Sequence, residues 1–339
     1  MTEEAATKKW RTSNNKTQYS IPGFIRNMQE RMAERRALKL SDRVFRIGTY
    51  ILLFDLAFVF LFPFFYMIVT SLKTNADLYN FTVNWVPRTV KIQNYVIAFR
   101  ALDYIKYLKN SLILTLLGTA GHILACSFIG YGFARYDFPG KTLLFSIVIL
   151  SLIVPVQTII IPQYMIFCNL KWLNTYLPMI VPTFFGYGLK GGLFIFIFRQ
   201  FYLGLPKALE DAAKIDGCGF FRTYWNIVLP VAQSALLVTL VLSLVWHWND
   251  FYEPSIYISK MMKTPLPSRL NELVNLVNTP PSEEIFDSLI ELEAMEEEMA
   301  INNAVLMAGT FLVVIPVMTA FAFLQSKFMQ GIERTGLVE

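Results

Sequence analysis

Apolar positions in this chain gather into long blocks instead of alternating with polar ones. Ile47 to Leu72 is interrupted only by Asp55 and Pro63, and similar blocks run from about Ser111 to Ala134, Thr142 to Phe167, Tyr176 to Phe198, Val228 to Trp248 and Ile301 to Leu324. Each is near the roughly 20 residues that a helix needs to cross a hydrocarbon core about 30 Å thick. Strict alternation, the mark of half-buried strands, is missing. The pattern predicts an all-α polytopic membrane protein with six transmembrane helices and both termini on one side.

Charge sets the orientation. Placed on this layout, nineteen Lys and Arg residues fall on the N-terminal side and ten on the other, with Lys190 inside the fourth block. Basic loops stay in the cytoplasm, so both termini are expected there, in a multi-pass protein of the cytoplasmic membrane. The composition agrees: of 339 residues, 55% are apolar and only 16% charged, against about 25% charged in soluble domains. No apolar run precedes residue 47, so no cleavable signal peptide is expected. Cys126, Cys168 and Cys218 have no paired spacing, which argues against a disulfide framework or a zinc site.

The layout divides into a basic tail and amphipathic elbow over 1–46, a six-helix region over 47–326 and a C-terminal tail over 327–339. In the elbow, Ile25, Met28, Met32 and Leu38 are mixed with Arg26, Arg31, Arg35, Arg36 and Lys39, a pattern suited to a helix on anionic headgroups or to a solvated tail. Between the last two spans lies an acidic insertion at 279–299. It carries Glu283, Glu284, Asp287, Glu291, Glu293, Glu296, Glu297 and Glu298 without a basic residue and reads as a solvated helix face. Asp55 is the one deep carboxylate of the first span, placed either on a functional path or near the inner interface.

The loop over 199–230 does not look solvated. Pro206 can open a short helix and Gly217 can close it, with Leu209, Ala212 and Ala213 sharing a face beside Glu210, Asp211 and Lys214. Phe220, Phe221, Tyr224, Trp225 and Val228 then recur at helical spacing. A water-facing loop does not carry four aromatics in this way, so the surface either packs on the spans or docks a partner.

Leu209-Glu210-Asp211-Ala212-Ala213-Lys214-Ile215-Asp216-Gly217, followed by Ile227 and Leu229-Pro230 at fixed distance, resembles the EAA loop of the permease subunits of bacterial ATP-binding-cassette importers. Asp211 stands where that family usually has Glu. Asn110-Ser111, the stretch Tyr131 to Lys141, Pro155-Val156-Gln157 and Trp248-Asn249-Asp250 are similar to the carbohydrate-importer branch, and within it to the six-span second subunit of maltose-type permeases. The resemblance implies that Glu210, Asp211, Ala212, Ala213, Asp216, Gly217, Phe220 and Phe221 form the contact with an ATPase subunit. It also implies a second permease subunit, two ATPase subunits, an extracytoplasmic substrate-binding protein and surrounding lipid as partners, with no nucleic acid. ATP and magnesium would sit on those partners, leaving this chain without a cofactor or metal.

Candidate residues for a sugar pathway are Gln157, Trp248, Asn249 and Asp250, whose aromatic and polar groups suit stacking and hydrogen bonding to a sugar. An interfacial aromatic belt with a polar helix end is the favoured account of them. A catalytic cluster cannot be assembled. Gly140-Lys141-Thr142 has Arg135 where a phosphate loop needs glycine, and His122 and His247 fit neither a metal spacing nor a nucleophile elbow; His122 reads as a hydrogen-bonded bundle residue. A non-catalytic permease subunit is therefore expected. The alternative is a stand-alone secondary transporter or channel, which would need its own coupling site and leaves the 199–230 loop unexplained.

Overall fold

The computed structural model describes residues 21–80, 85–188, 190–259, 263–278 and 301–336. Among these the only regular structure is helical. The main elements are α1 (Ile21–Ser71), α2 (Gln93–Ala101), α3 (Tyr104–Arg135), α4 (Lys141–Ser151), α5 (Val156–Asn169), α6 (Gly191–Gly204), α7 (Ala208–Ile215), α8 (Phe220–Thr223), α9 (Gln233–Asn249), α10 (Tyr252–Tyr257), α11 (Leu266–Asn278) and α12 (Asn303–Gly336). The chain divides into two compact units within α1, after Phe65.

In the first unit α1 is continuous from Ile21, running from the expected elbow into the first apolar block. Its side chains from Phe45 to Phe65 are exposed, Asp55 included, as befits a helix whose environment is lipid or another chain. Residues 1–20 and the acidic insertion at 279–299 lie outside the described residues.

The second unit is organised around α3, which packs most extensively on α6 and α9. Small residues permit this close approach. A Cβ on Gly121 would run into Thr183 Oγ1, and one on Gly130 would lie 2.7 Å from the Phe198 Cβ. Around this seam Tyr131, Phe194, Phe198, Tyr202 and Tyr224 are fully buried. A second cluster joins Leu102, Tyr107, Trp248, Leu266, Leu273 and Val313. Two polar ties hold it: Asn110 Nδ2 donates to the Thr264 carbonyl at 3.0 Å, and Ser111 Oγ accepts from the Leu266 N–H at 2.7 Å.

Three described helices are unbroken and apolar enough to cross a membrane, and three bent pairs raise the number of candidate spans to as many as six. The bent pairs lie within the third block, just after the fourth and at the start of the fifth. Between α4 and α5 the direction changes by 103°. Pro155 is the cause to hand, since it lacks an N–H and sits extended at ψ 136° immediately before α5. The fourth block is interrupted ahead of α6, where Gly186 and Gly188 adopt φ +71° and +109°, conformations that favour glycine. Pro63, Pro162 and Pro316, by contrast, lie inside continuous helices.

Candidate functional site

The loop between α6 and α9 is built by local sequence signals. α7 leaves α6 at an angle of 77° just after Pro206. Glu210 and Asp211 occupy its first turn and Lys214 its last, complementing the helix dipole. At its end the Cys218 N–H reaches the Ala213 carbonyl at 2.9 Å and the Gly217 N–H reaches that of Lys214 at 3.0 Å. Gly217 has φ +75°, so this is a Schellman closure in which glycine takes the left-handed position.

After α8 the backbone widens into a π-turn over Tyr224–Val228, closed by the Leu229 N–H on the Tyr224 carbonyl. The widening directly precedes Pro230, which offers no N–H to a regular ladder. The chain then bends by 78° into α9.

Two sets of contacts pin this loop to α3. Arg135, the last residue of α3, places Nε 2.6 Å from Glu210 Oε1, and the two side chains are only 5% and 10% exposed. Its Nη2 also donates to the Leu205 carbonyl at 2.7 Å. The second set is aromatic. Tyr224 is buried, its hydroxyl 2.6 Å from Ser127 Oγ, and Phe220 packs its ring against Phe128, Tyr131 and Tyr136.

The outward face has a different character. Leu209 is 40% exposed, Ile215 86%, Phe221 65% and Trp225 48%. Asp211, Ala212, Asp216 and Gly217 are also exposed. Ala213 turns inward with Glu210, so the face expected from Leu209, Ala212 and Ala213 is divided between the two sides. Among the described residues Asp211 pairs only with Lys214, at 3.2 Å and in the open; such a pair contributes roughly 0.2–1 kcal/mol and can be exchanged for a partner's charge. Of the two carboxylates, Glu210 is committed within the chain and Asp211 faces out.

The sugar-pathway candidates do not form one site. Trp248 is buried, its indole N–H donating to the Val313 carbonyl at 3.1 Å, which makes it a tie between α9 and α12 with its rings covered. Asp250 Oδ1 accepts from the Tyr252 and Glu253 N–H groups at 3.1 and 3.3 Å and so caps α10. Asn249 is exposed and donates to the Val245 carbonyl, and Gln157 is exposed at the start of α5. His122 is a bundle residue: fully buried, it places Nδ1 3.1 Å from His247 Nε2 and 3.3 Å from Ser243 Oγ.

Sequence reasoning missed Arg135 as the partner of Glu210, although Arg135 stood within the Tyr131–Lys141 stretch. It also missed Glu253, three residues beyond Asp250. Burial, and the Asp250 carboxylate beside it, push the Glu253 carboxyl above the usual carboxylate range. No group of three or more His, Cys, Asp or Glu side chains placed to hold a metal occurs among the described residues.

Comparison with known proteins places the chain in a family. Residues 123–334 match the model of the family described as binding-protein-dependent transport system inner membrane component. The chain is 28% identical over 297 residues to the arabinooligosaccharides transport system permease protein AraQ of Bacillus subtilis, covering 87% of this chain and 96% of that one. It is 26% identical over 292 residues to the lactose transport system permease protein LacG of Rhizobium radiobacter, covering 86% and 97%. A crystal structure of a bacterial ABC transporter involved in import of the acidic polysaccharide alginate contains a chain of the same fold, with TM-score 0.71, 20% identity and coverage of 85% and 98%. With the family match spanning more than half its length, the chain belongs to the inner membrane components of binding-protein-dependent transport systems.

Proposed function

We propose that this chain is the six-span permease subunit of an ATP-driven importer for a sugar or oligosaccharide, and that α7, the turn at Gly217 and α8 form its coupling element. The observation that carries the reading is the two-sidedness of this loop. One side is fastened to α3 by the buried Arg135–Glu210 pair and the Tyr224 hydroxyl. The other presents Leu209, Asp211, Ala212, Ile215, Asp216, Phe221 and Trp225, apolar side chains beside two exposed carboxylates, which suits a socket on another protein. Closure of a pair of ATPase subunits would push this loop, and α3 would pass the movement to the bundle. ATP and magnesium belong to those subunits.

The permease relatives for arabinooligosaccharides and lactose support a carbohydrate cargo. The excess of Lys and Arg on the N-terminal side supports cytoplasmic termini and a cytoplasmic coupling loop. A second permease subunit and an external binding protein complete the machine. The test is uptake and ATP hydrolysis by the complete transporter in proteoliposomes. Asp211→Lys reverses an exposed charge, and Gly217→Val forces a β-branched residue into φ +75°, costing at least about 1–2 kcal/mol. Both are expected to leave ATP hydrolysis running while uptake is lost. Unchanged uptake in both variants contradicts the coupling role.

A further inference from the structure

An open groove of about 790 Å³ lies between the short helix Asn75–Leu78 and the segment that leads into α2; Thr74, Asn75, Thr89, Val90, Lys91 and Gln93 are among the residues that line it. Its two walls are fastened to each other. The Lys91 N–H donates to the Leu72 carbonyl at 2.9 Å, and Asn94 Nδ2 donates to the Ser71 and Lys73 carbonyls at 2.8 and 2.9 Å. Asp77 is buried, and its Oδ2 accepts from the Arg88 N–H at 3.1 Å, so no described residue lining the groove is acidic. Arg88 is exposed and Lys91 half-buried, and among the described residues neither has an ion pair. Gln93 opens α2, whose N-cap Ile92 offers no side-chain acceptor, so the positive end of that helix dipole lies at the rim.

The chain returns to this groove directly after the acidic insertion. Asn302 donates from Nδ2 to Asn75 Oδ1, and its Oδ1 caps α12 by accepting from the Ala304 and Val305 N–H groups at 2.8 and 3.0 Å. One side chain thus ties the C-terminal end of the insertion to the groove wall. Glu296, Glu297 and Glu298 lie four to six residues before Asn302, and six residues reach at most about 20 Å. Charge points the same way. The stretch 73–109 carries six bases against two acids, whereas 279–299 carries eight acids and no base. A tether this short holds the glutamates at an effective concentration in the millimolar range, ahead of a dilute partner.

We infer that the acidic stretch Glu283–Glu298 docks on this groove of its own chain, with Glu296, Glu297 and Glu298 facing Arg88 and Lys91. The inference needs neither the cargo nor the direction of transport, because the contact of Asn302 with Asn75 brings the end of the insertion and the groove to one side of the membrane. It also gives the excess of bases over 73–109 a counterpart within the chain.

The experiment uses the full chain in its purified complex in lipid nanodiscs, with Cys126, Cys168 and Cys218 replaced by serine or alanine. Val90, 61% exposed at the groove, and Met295, whose replacement leaves every insertion charge in place, are changed to cysteine. A short bismaleimide is added, and bridged peptides are quantified by mass spectrometry after digestion. A bridge within the chain is expected at about 0.1 M NaCl. At about 1 M NaCl the screening length shrinks from about 10 Å to about 3 Å. The yield is then expected to fall about tenfold, the effect of two or three exposed ion pairs. Arg88→Glu with Lys91→Glu is expected to cause the same loss at low salt, and adding Glu296→Lys, Glu297→Lys and Glu298→Lys to restore the bridge. The salt comparison alters no charged residue, so it decides the matter if the reversed variants do not assemble. A yield indifferent to salt, or to charge reversal in assembled variants, overturns the inference, since the tether alone then keeps the segment nearby. Absence of the bridge overturns it as well, as does a bridge from position 295 to the binding protein or the second permease subunit in place of position 90.

Discussion

The Arg135–Glu210 pair offers a sharp test of how the coupling loop is held. With side chains 5% and 10% exposed, the two charges are largely withdrawn from water. Removing either one leaves the other uncompensated, at a cost of about 3–5 kcal/mol. The neighbouring exposed pair Asp211–Lys214, 62% and 68% exposed, is worth roughly 0.2–1 kcal/mol. Glu210→Ala should therefore release α7 from α3, whereas Asp211→Ala should not. At 1.4 kcal/mol per factor of ten, about 3 kcal/mol corresponds to roughly a hundredfold increase in the population of the undocked loop. Arg135→Ala should do more damage than Glu210→Ala, because it also removes the donor to the Leu205 carbonyl. The double substitution Arg135→Leu with Glu210→Leu leaves no orphaned charge and should be milder than the sum of the single changes.

The assay is hydrogen exchange of the 208–215 amides in the purified transporter, alongside sugar uptake. Single variants should exchange about a hundredfold faster and lose uptake, with a large favourable coupling in the double mutant. Exchange within a factor of two of wild type in both single variants, with additive effects in the double, refutes the claim that this pair fastens the loop.

Packing within the bundle gives two further expectations. Gly121→Ala places a methyl group against the Thr183 hydroxyl and should destabilise the bundle by about 1–3 kcal/mol through overpacking, read as a lower midpoint of thermal aggregation, whereas Gly132→Ala meets nothing within 4 Å and should not. Trp248→Phe removes the donor to the Val313 carbonyl and should cost about 1 kcal/mol without altering the choice of sugar; a changed sugar preference in that variant would return Trp248 to the transport path.

Much of the fold is legible in the sequence because a membrane span announces itself through length and apolarity. The bends are less so. Pro63, Pro162 and Pro316 are carried within helices while Pro155 marks a break, and the residue type is the same in each case. Neighbours decide which freed carbonyls are satisfied, and neighbours are not written locally. The coupling loop shows the same limit at smaller scale. The spacing of Leu209, Ala212 and Ala213 permits a face at 209 with either neighbour, and the helix settles with Glu210 and Ala213 inward because Arg135 waits there. That partner lies 75 residues earlier, beyond any window of helical periodicity. Trp248 carries the same lesson: a tryptophan at the end of a span suggests a stacking platform, but its N–H is already claimed by Val313.

The central claim, that the Ala208–Val228 segment is a cytoplasmic element gripped by an ATPase subunit, is tested most directly by cysteine labelling at Ile215, the most exposed apolar side chain of the loop at 86%. In a background with Cys126, Cys168 and Cys218 replaced by serine or alanine, Ile215→Cys should react with a membrane-impermeant maleimide only in inside-out vesicles. It should also be protected when the ATPase subunits are present and cross-link to them. Labelling from the outside of intact cells, or full reactivity within the assembled transporter, contradicts the account.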